Sequence, residues 1–351
     1  MSNKIKVLIV DDSPSICEIV SRLILSSDKF LVAGIAHNGQ EAIQFIKKNS
    51  PNVVLMDIEM PIMSGLEATK QIMEESPLPI VIFSSLSKEN SQETIKALAL
   101  GVVDFILKPN LQEMESTRKV LHEKLELASW VKVISRKKHL AGKSDIAPTS
   151  IKAKKDHNHK RKIVVIGAST GGPSSLNKIF PLIPVQEEIP ITYFLIQHMP
   201  PIFTKSFAEN LNKISKIKVT EAVDFEEIEN NHCYLAPGAK NLIFDKSERI
   251  RIINPEQRGS SFIPNIDIAM KSISEVYGND VIGVIMTGIG NDGLDGMRSI
   301  KKNEGICIVQ DEKSSVIYGM PKACIDAKVY DRIVSLEEIP STISHFISNS
   351  I

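Results

Sequence analysis

The feature that most constrains this chain is a repeated alternation. Short runs of apolar residues, each long enough for one strand, are separated by stretches whose apolar residues recur at helical spacing. Before residue 128 there are five such runs, KIKVLIV, LVAGIA, NVVLMD, PIVIFS and VVDFIL. They are apolar almost throughout, so both faces of each strand must be covered, which is the pattern of a parallel sheet with helices on both sides. The spacing predicts an α/β, doubly wound, five-stranded domain over residues 1–127. The pattern then stops in VISRKKHLAGKSDIAPTSIKAKKDHNHKRK, a basic, hydrophilic stretch with little to bury, expected to be an exposed linker over 128–162. From Ile163 the alternation resumes, with IVVIG, ITYFLIQ, HCYLA, NLIF, RIRII, VIGVIMT and GICIV as strands and helices starting near Pro173, Phe203, Pro264 and Gly293. This predicts a second α/β domain with a mainly parallel sheet over 163–351.

Two domains are what 351 residues accommodate. Lys plus Arg and Asp plus Glu both number 42, so the net charge is zero and bulk attraction to nucleic acid or an anionic bilayer has no support. No apolar run approaches the roughly 20 residues of a membrane span. The opening MSNKIKVLIVDDSP has no signal-cleavage pattern. The expectation is a cytoplasmic protein with no nucleic-acid partner and no direct membrane insertion. Cys17, Cys233, Cys307 and Cys324 are scattered without metal-ligand spacing and read as reduced core thiols. Gly142-Lys143-Ser144 mimics the end of a phosphate-binding loop, but Lys137 stands where the motif needs its first glycine.

In the first domain Asp11 and Asp12 follow the first strand, Asp57 ends the third, Ser84 ends the fourth, and Lys108 with Pro109 ends the fifth. The carboxyl ends of parallel strands share one edge, so these groups converge. Three carboxylates that close repel one another unless a cation lies between them, and an all-oxygen donor set suits Mg²⁺. A carboxylate beside Mg²⁺ and a lysine is arranged to accept a phosphoryl group. With its motifs VDDSP, MDIEMPIMSG, FSS and LKP, this half resembles the receiver domain of two-component response regulators. The resemblance implies that Asp57 is the phospho-acceptor, supplied by a histidine kinase. It implies that Asp12, Asp57 and the Glu59 carbonyl hold Mg²⁺ with Asp11 orienting a water, that Ser84 and Lys108 bind phosphoryl oxygens, and that Phe105 is an aromatic switch. Ser64 departs from the family, which usually has Asp there.

In the second domain Gly167-Ala168-Ser169-Thr170-Gly171 fits the G-x-S-x-G elbow, in which a tight strand-to-helix turn exposes a nucleophilic hydroxyl. Pro173 suits the first turn of the helix that follows. The backbone N–H groups of Thr170 and Gly171 would then face whatever Ser169 attacks, as an oxyanion hole. A base must lie on the same sheet edge. His198 follows ITYFLIQ directly, whereas His232 precedes its strand and His345 lies in a terminal helix. Among carboxylates Asp292 follows VIGVIMT, a placement that Asp224, Asp267, Asp280, Asp295 and Asp311 lack. Ser169, His198 and Asp292 therefore form a candidate triad of nucleophile, base and tautomer-fixing carboxylate. A competing reading stays open at this level. Gly288-Ile289-Gly290-Asn291-Asp292-Gly293 satisfies G-x-G-x-x-G, and Asp311 stands near the spacing a dinucleotide site would need. It leaves Ser169 and His198 unexplained and sets a carboxylate against a pyrophosphate.

Through IGASTGGP, QHMP, YLAPG, MTGIGNDG and YGMP, residues 160 to 349 resemble the catalytic domain of the chemotaxis protein-glutamate methylesterases. The resemblance implies release of methanol from glutamate methyl esters on chemoreceptors, together with deamidation of receptor glutamines. No cofactor is expected for that chemistry. It places the family's catalytic positions on Ser169, His198 and Asp292, adds the Ile289 N–H to the oxyanion hole, and implies a receiver that covers the cleft until it is phosphorylated. Ile289 stands where the family often has Met, and Asn265 where it usually has Ser. Other outputs for such a receiver are DNA binding, which would call for a small basic helical domain, or nucleotide binding.

Overall fold

The computed structural model describes residues 4–85, 87–108, 114–131, 161–245, 248–255 and 262–348. Pro109 and residues 132–160, most of the basic stretch with its Gly142-Lys143-Ser144, lie outside the described residues. The chain divides into two compact units within that stretch.

The first unit runs β1 (Ile5–Val10), α1 (Pro14–Leu25), β2 (Phe30–Ala36), α2 (Gly39–Lys48), β3 (Val53–Asp57), α3 (Gly65–Glu75), β4 (Ile80–Ser84), α4 (Lys88–Leu100), β5 (Asp104–Leu107) and α5 (Met114–Trp130). Its strands pair in parallel in the order β2-β1-β3-β4-β5. Every residue of β3 and β4 is buried, as strands covered on both faces must be. The order reverses between β1 and β3, and the crevice over their carboxyl ends is where ligands collect in such sheets. Ser64, where the family usually has Asp, is the N-cap of α3, and its hydroxyl and the Glu67 carboxylate form a capping box.

The second unit runs β6 (Lys162–Ala168), α6 (Gly172–Ile179), β7 (Ile191–Gln197), α7 (Pro201–Ile214), β8 (Lys218–Glu221), β9 (His232–Leu235), β10 (Asn241–Phe244), β11 (Ile250–Ile253), α8 (Ile266–Tyr277), β12 (Val281–Ile285), α9 (Leu294–Lys302), β13 (Ile306–Gln310), α10 (Met320–Asp326), β14 (Arg332–Val334) and α11 (Ile339–Ser348). Seven strands form a sheet of order β14-β13-β12-β6-β7-β9-β8, parallel throughout. NLIF and RIRII stand apart as the antiparallel pair β10-β11. Val165 of β6, Ile285 of β12 and Val309 of β13 pack with Ile266, Met270 and Ile273 of α8 and Met297 and Ile300 of α9. Each such fully buried aliphatic side chain contributes about 1.5–3 kcal/mol. Here too the strand order reverses at β6: the chain runs outward through β7 and returns to β12 on its other side. The loops after β12, β6 and β7 are therefore neighbours along one rim.

Candidate functional site

Ser169, His198 and Asp292 stand on those three adjacent loops, after β6, β7 and β12. Gly171, at φ 75°, takes the left-handed conformation that lets the chain turn from β6 straight into α6. Ser169 Oγ lies 3.0 Å from His198 Nδ1, and His198 Nε2 lies 2.8 Å from Asp292 Oδ2. A carboxylate can only accept, so Nε2 carries the ring proton and Nδ1 is left as the acceptor facing the serine hydroxyl. The two nitrogens exchange the roles they have in the serine-protease template, while the relay is the same.

Asp292 is held by more than the imidazole. Its Oδ2 accepts the Ile266 N–H at 2.9 Å, and its Oδ1 accepts the Asp267 N–H at 3.0 Å and Asn265 Nδ2 at 3.1 Å. The carboxylate thus caps the amino terminus of α8, where free N–H groups and the helix dipole favour an anion. Burial pushes its pKa up, but the His198 hydrogen bond and charge and these backbone donors outweigh burial and hold Asp292 below the usual carboxylate range. It is an anion built to stabilise an imidazolium. Neighbouring Asp267 goes the other way, raised to about 6 by burial and, against a hydrogen bond from the Gly296 N–H, by the Asp292 charge. Phe262 stacks on the His198 ring, centroids 4.7 Å apart and planes 4° from parallel, shielding one face of the base.

Thr170 follows Ser169 in the elbow and is buried. The loop carrying Ile289 passes beside the nucleophile: a Cβ at Gly288 would lie 2.7 Å from Ser169 Cβ, so only glycine fits there. The rival residues are occupied elsewhere. His232 lies at the opposite end of the sheet, 2.8 Å from Thr220 Oγ1, and His345 is exposed on α11. Asp224 pairs with Arg251, Asp280 with Lys162 and Asp295 with Arg298, and Asp311 accepts from the Ser314 backbone and hydroxyl. Asn265, where the family usually has Ser, caps α8 through Ile268 N and donates to Asp292.

In the first unit one carboxylate oxygen each from Asp11, Asp12 and Asp57 lies within 4.8 Å of the others. Lys108 Nζ bridges Asp11 at 2.7 Å and Asp57 at 2.8 Å. Burial, with the Asp11 charge adding to it and Lys108 opposing it, pushes the Asp57 carboxyl up to about 6. Burial works against the Lys108 ammonium as well, but its two carboxylate contacts hold it above the usual lysine range. One ammonium against three carboxylates leaves an excess of negative charge on an all-oxygen donor set, which fits a hard divalent cation such as Mg²⁺. The Glu59 side chain is exposed and lies 3.4 Å from Asn90 Nδ2. Ser84 is buried and its hydroxyl accepts from Thr94 Oγ1 at 3.0 Å. Phe105 is buried as well, with Lys124 Nζ 5.2 Å from its ring centre.

The sequence reading missed the groups that hold the three residues in place: the α8 N–H donors, Asn265 and Phe262. A helix-capping pattern at Asn265 was visible in the chain. Its carboxylate partner, 27 residues on, was not.

Two protein-family profiles match the chain: CheB methylesterase over residues 164–343 and Response regulator receiver domain over residues 7–119. A protein-glutamate methylesterase/protein-glutamine glutaminase of Pyrococcus horikoshii is 40% identical over 346 residues, covering 98% of this chain and 94% of that protein. A protein of the same name from Methanococcus maripaludis is 38% identical over 366 residues, covering 98% of each. The crystal structure of the Thermotoga maritima CheB methylesterase catalytic domain is similar to the second unit, with 35% identity and a TM-score of 0.50, covering 53% of this chain and 99% of that one.

Proposed function

This chain belongs to the CheB methylesterase family and carries a response regulator receiver domain ahead of the methylesterase domain, and from that premise we propose that it is a phosphorylation-regulated protein-glutamate methylesterase working through Ser169, His198 and Asp292. The observation that carries the proposal is the continuous relay of 3.0 and 2.8 Å from hydroxyl to imidazole to carboxylate. His198 Nδ1 takes the Ser169 proton as Oγ attacks the side-chain ester carbonyl of a methylated receptor glutamate. The Thr170, Gly171 and Ile289 N–H groups receive the negative charge that develops on the carbonyl oxygen. Nδ1 then returns the proton to the leaving methoxy group and methanol departs. Water, deprotonated by the same nitrogen, releases the glutamate carboxylate and restores Ser169. With a glutamine substrate the same steps release ammonia, in keeping with the second half of the relatives' name.

In the receiver, Asp12, Asp57 and the Glu59 carbonyl would hold Mg²⁺, with Asp11 orienting one of its waters. The ion would supply charge neutralisation for phosphoryl transfer. Asp57 is the acceptor from a histidine kinase, Lys108 and Ser84 hold the phosphoryl oxygens, and Phe105 responds to the inward movement of Ser84. The partners are a histidine kinase and the cytoplasmic helices of methyl-accepting chemotaxis receptors, so the protein works in the cytoplasm. No described helix is long and apolar enough to cross a membrane. The nucleotide reading of residues 288–293 loses ground, because Asp292 turns to His198 and α8 and Asp311 is bonded to Ser314.

The test is methanol evolution from methylated receptor membranes, with and without acetyl phosphate. Ser169→Ala should abolish it with the fold intact by circular dichroism; retained activity overturns the nucleophile assignment.

A further inference from the structure

An oxyanion hole works only if its N–H groups point the right way before the substrate arrives. A trans peptide is planar, so anchoring the carbonyl of one residue fixes the N–H of the next in the opposite direction. At the elbow two consecutive carbonyls are anchored by buried side chains. The Ser169 carbonyl accepts from Gln197 Nε2 at 3.0 Å, as well as from the Gly172 N–H at 2.8 Å. The Thr170 carbonyl accepts from Thr287 Oγ1 at 2.9 Å. These bonds set the directions of the Thr170 and Gly171 N–H groups. They also aim those donors away from the two side chains.

Each anchor is tied to a second catalytic segment. Gln197 Nε2 also donates to the His198 carbonyl at 3.1 Å, so one amide group spans nucleophile and base. Thr287 accepts the Ser169 N–H on its own carbonyl at 3.0 Å and directly precedes Gly288-Ile289. Its hydroxyl accepts from the Ile317 N–H at 2.9 Å, and its N–H donates to Gln310 Oε1 at 2.8 Å; the hydroxyl proton has the Thr170 carbonyl at 2.9 Å as its nearer acceptor and the Ile317 carbonyl at 3.2 Å as the farther one. The Gln197 amide cannot be reversed, since its oxygen would then face two carbonyl oxygens. As placed, Gln197 Oε1 is buried, finds no donor among the described residues, and fills the space a Cβ at Gly172 would take. A buried acceptor without a donor costs stability.

We propose that Gln197 and Thr287 are positioning residues that fix the peptide planes of the Ser169 elbow, and with them the oxyanion donors. The inference rests on the hydrolase reading above. The near-isosteric Thr287→Val and Gln197→Met keep shape and remove the donors, while Thr287→Ser keeps the hydroxyl. Methanol release from methylated receptor membranes is measured with kcat and KM separated, alongside thermal melting and labelling of Ser169 by a fluorophosphonate probe. Thr287→Val and Gln197→Met should each lower kcat by about tenfold or more, since outright loss of one oxyanion donor costs 10²–10³. KM should stay within about twofold, labelling should slow in parallel, and Thr287→Ser should keep kcat within about threefold of wild type. Unchanged kcat and labelling in Val and Met overturns the proposal. So does a loss of activity that Thr287→Ser shares, or one that follows a falling melting temperature and recovers on cooling. Should Gln197→Met fail to fold, the Val and Ser pair decides. If the wild type neither labels nor releases methanol, the hydrolase reading itself has failed, a result separate from either of these.

Discussion

At the scale of the residue, the site depends on how a buried carboxylate is kept charged. Asp292 keeps its negative charge because three donors from the amino terminus of α8 and the His198 ring converge on it. Asn265 serves both parties, capping Ile268 N with its oxygen and bonding Asp292 with its nitrogen. Asn265→Ala should therefore cost about 1 kcal/mol of cap stability, lowering the melting temperature of a domain this size by about 2–4 °C. It should also lower kcat/KM several-fold. Asn265→Ser keeps a capping hydroxyl, and the two backbone donors stay on Asp292, so it should recover most of both. An alanine variant as stable as wild type in thermal denaturation would refute the cap. Ser169, His198 and Asp292 were legible from their places after apolar strand runs. The second role of Asn265 was not, because a capping pattern names the helix it starts and not the distant anion that helix receives.

At the scale of the element, the strands legible in the chain were those with an apolar run. β8 and β14 were missed because they are edge strands of only four and three residues, with Lys218 and Arg332 exposed, too short and too polar to show such a run. β9 starts with His232, which is buried and bonded to Thr220 on the neighbouring β8. Burial first, and then the Lys218 charge, lower its pKa to about 4. The unfolded imidazole titrates near 6.5, so between about 4 and 6.5 the unfolded chain binds more protons than the folded one and stability rises with pH. Asp267, raised to about 6, titrates with the opposite sign over much of the same range, so the His232 contribution is read as the difference between wild type and His232→Gln in denaturant melts at stepped pH. The stability of wild type relative to His232→Gln should fall as pH falls through that window, and a difference that does not change with pH would show that His232 contributes no such slope.

At the scale of the whole molecule, two units with separate cores occupy one chain, and the function proposed for it requires the first to govern the second. Asp57 lies between a half-buried ammonium and two more carboxylates, the arrangement expected of a phospho-acceptor. Asp57→Asn should retain basal methanol release yet show no stimulation by acetyl phosphate. Removal of Mg²⁺ with EDTA should leave wild type at the same basal level. Full stimulation of the Asn variant, read by the same methanol assay, would remove the receiver from control of the esterase.

The amino-acid sequence by itself determined the α/β class, the parallel sheets and the strand ends on which the polar side chains stand. These follow from local periodicity and from the need to cover apolar strands on both faces. Only the tertiary structure decided which strand ends are neighbours. By placing β12 and β7 on either side of β6, it set Asp292 94 residues from His198 yet in contact with it. It also decided what supports them, because the partners of Asp292 and of the elbow carbonyls come from segments far apart in the chain, and strand order is a property of global packing that no local pattern encodes.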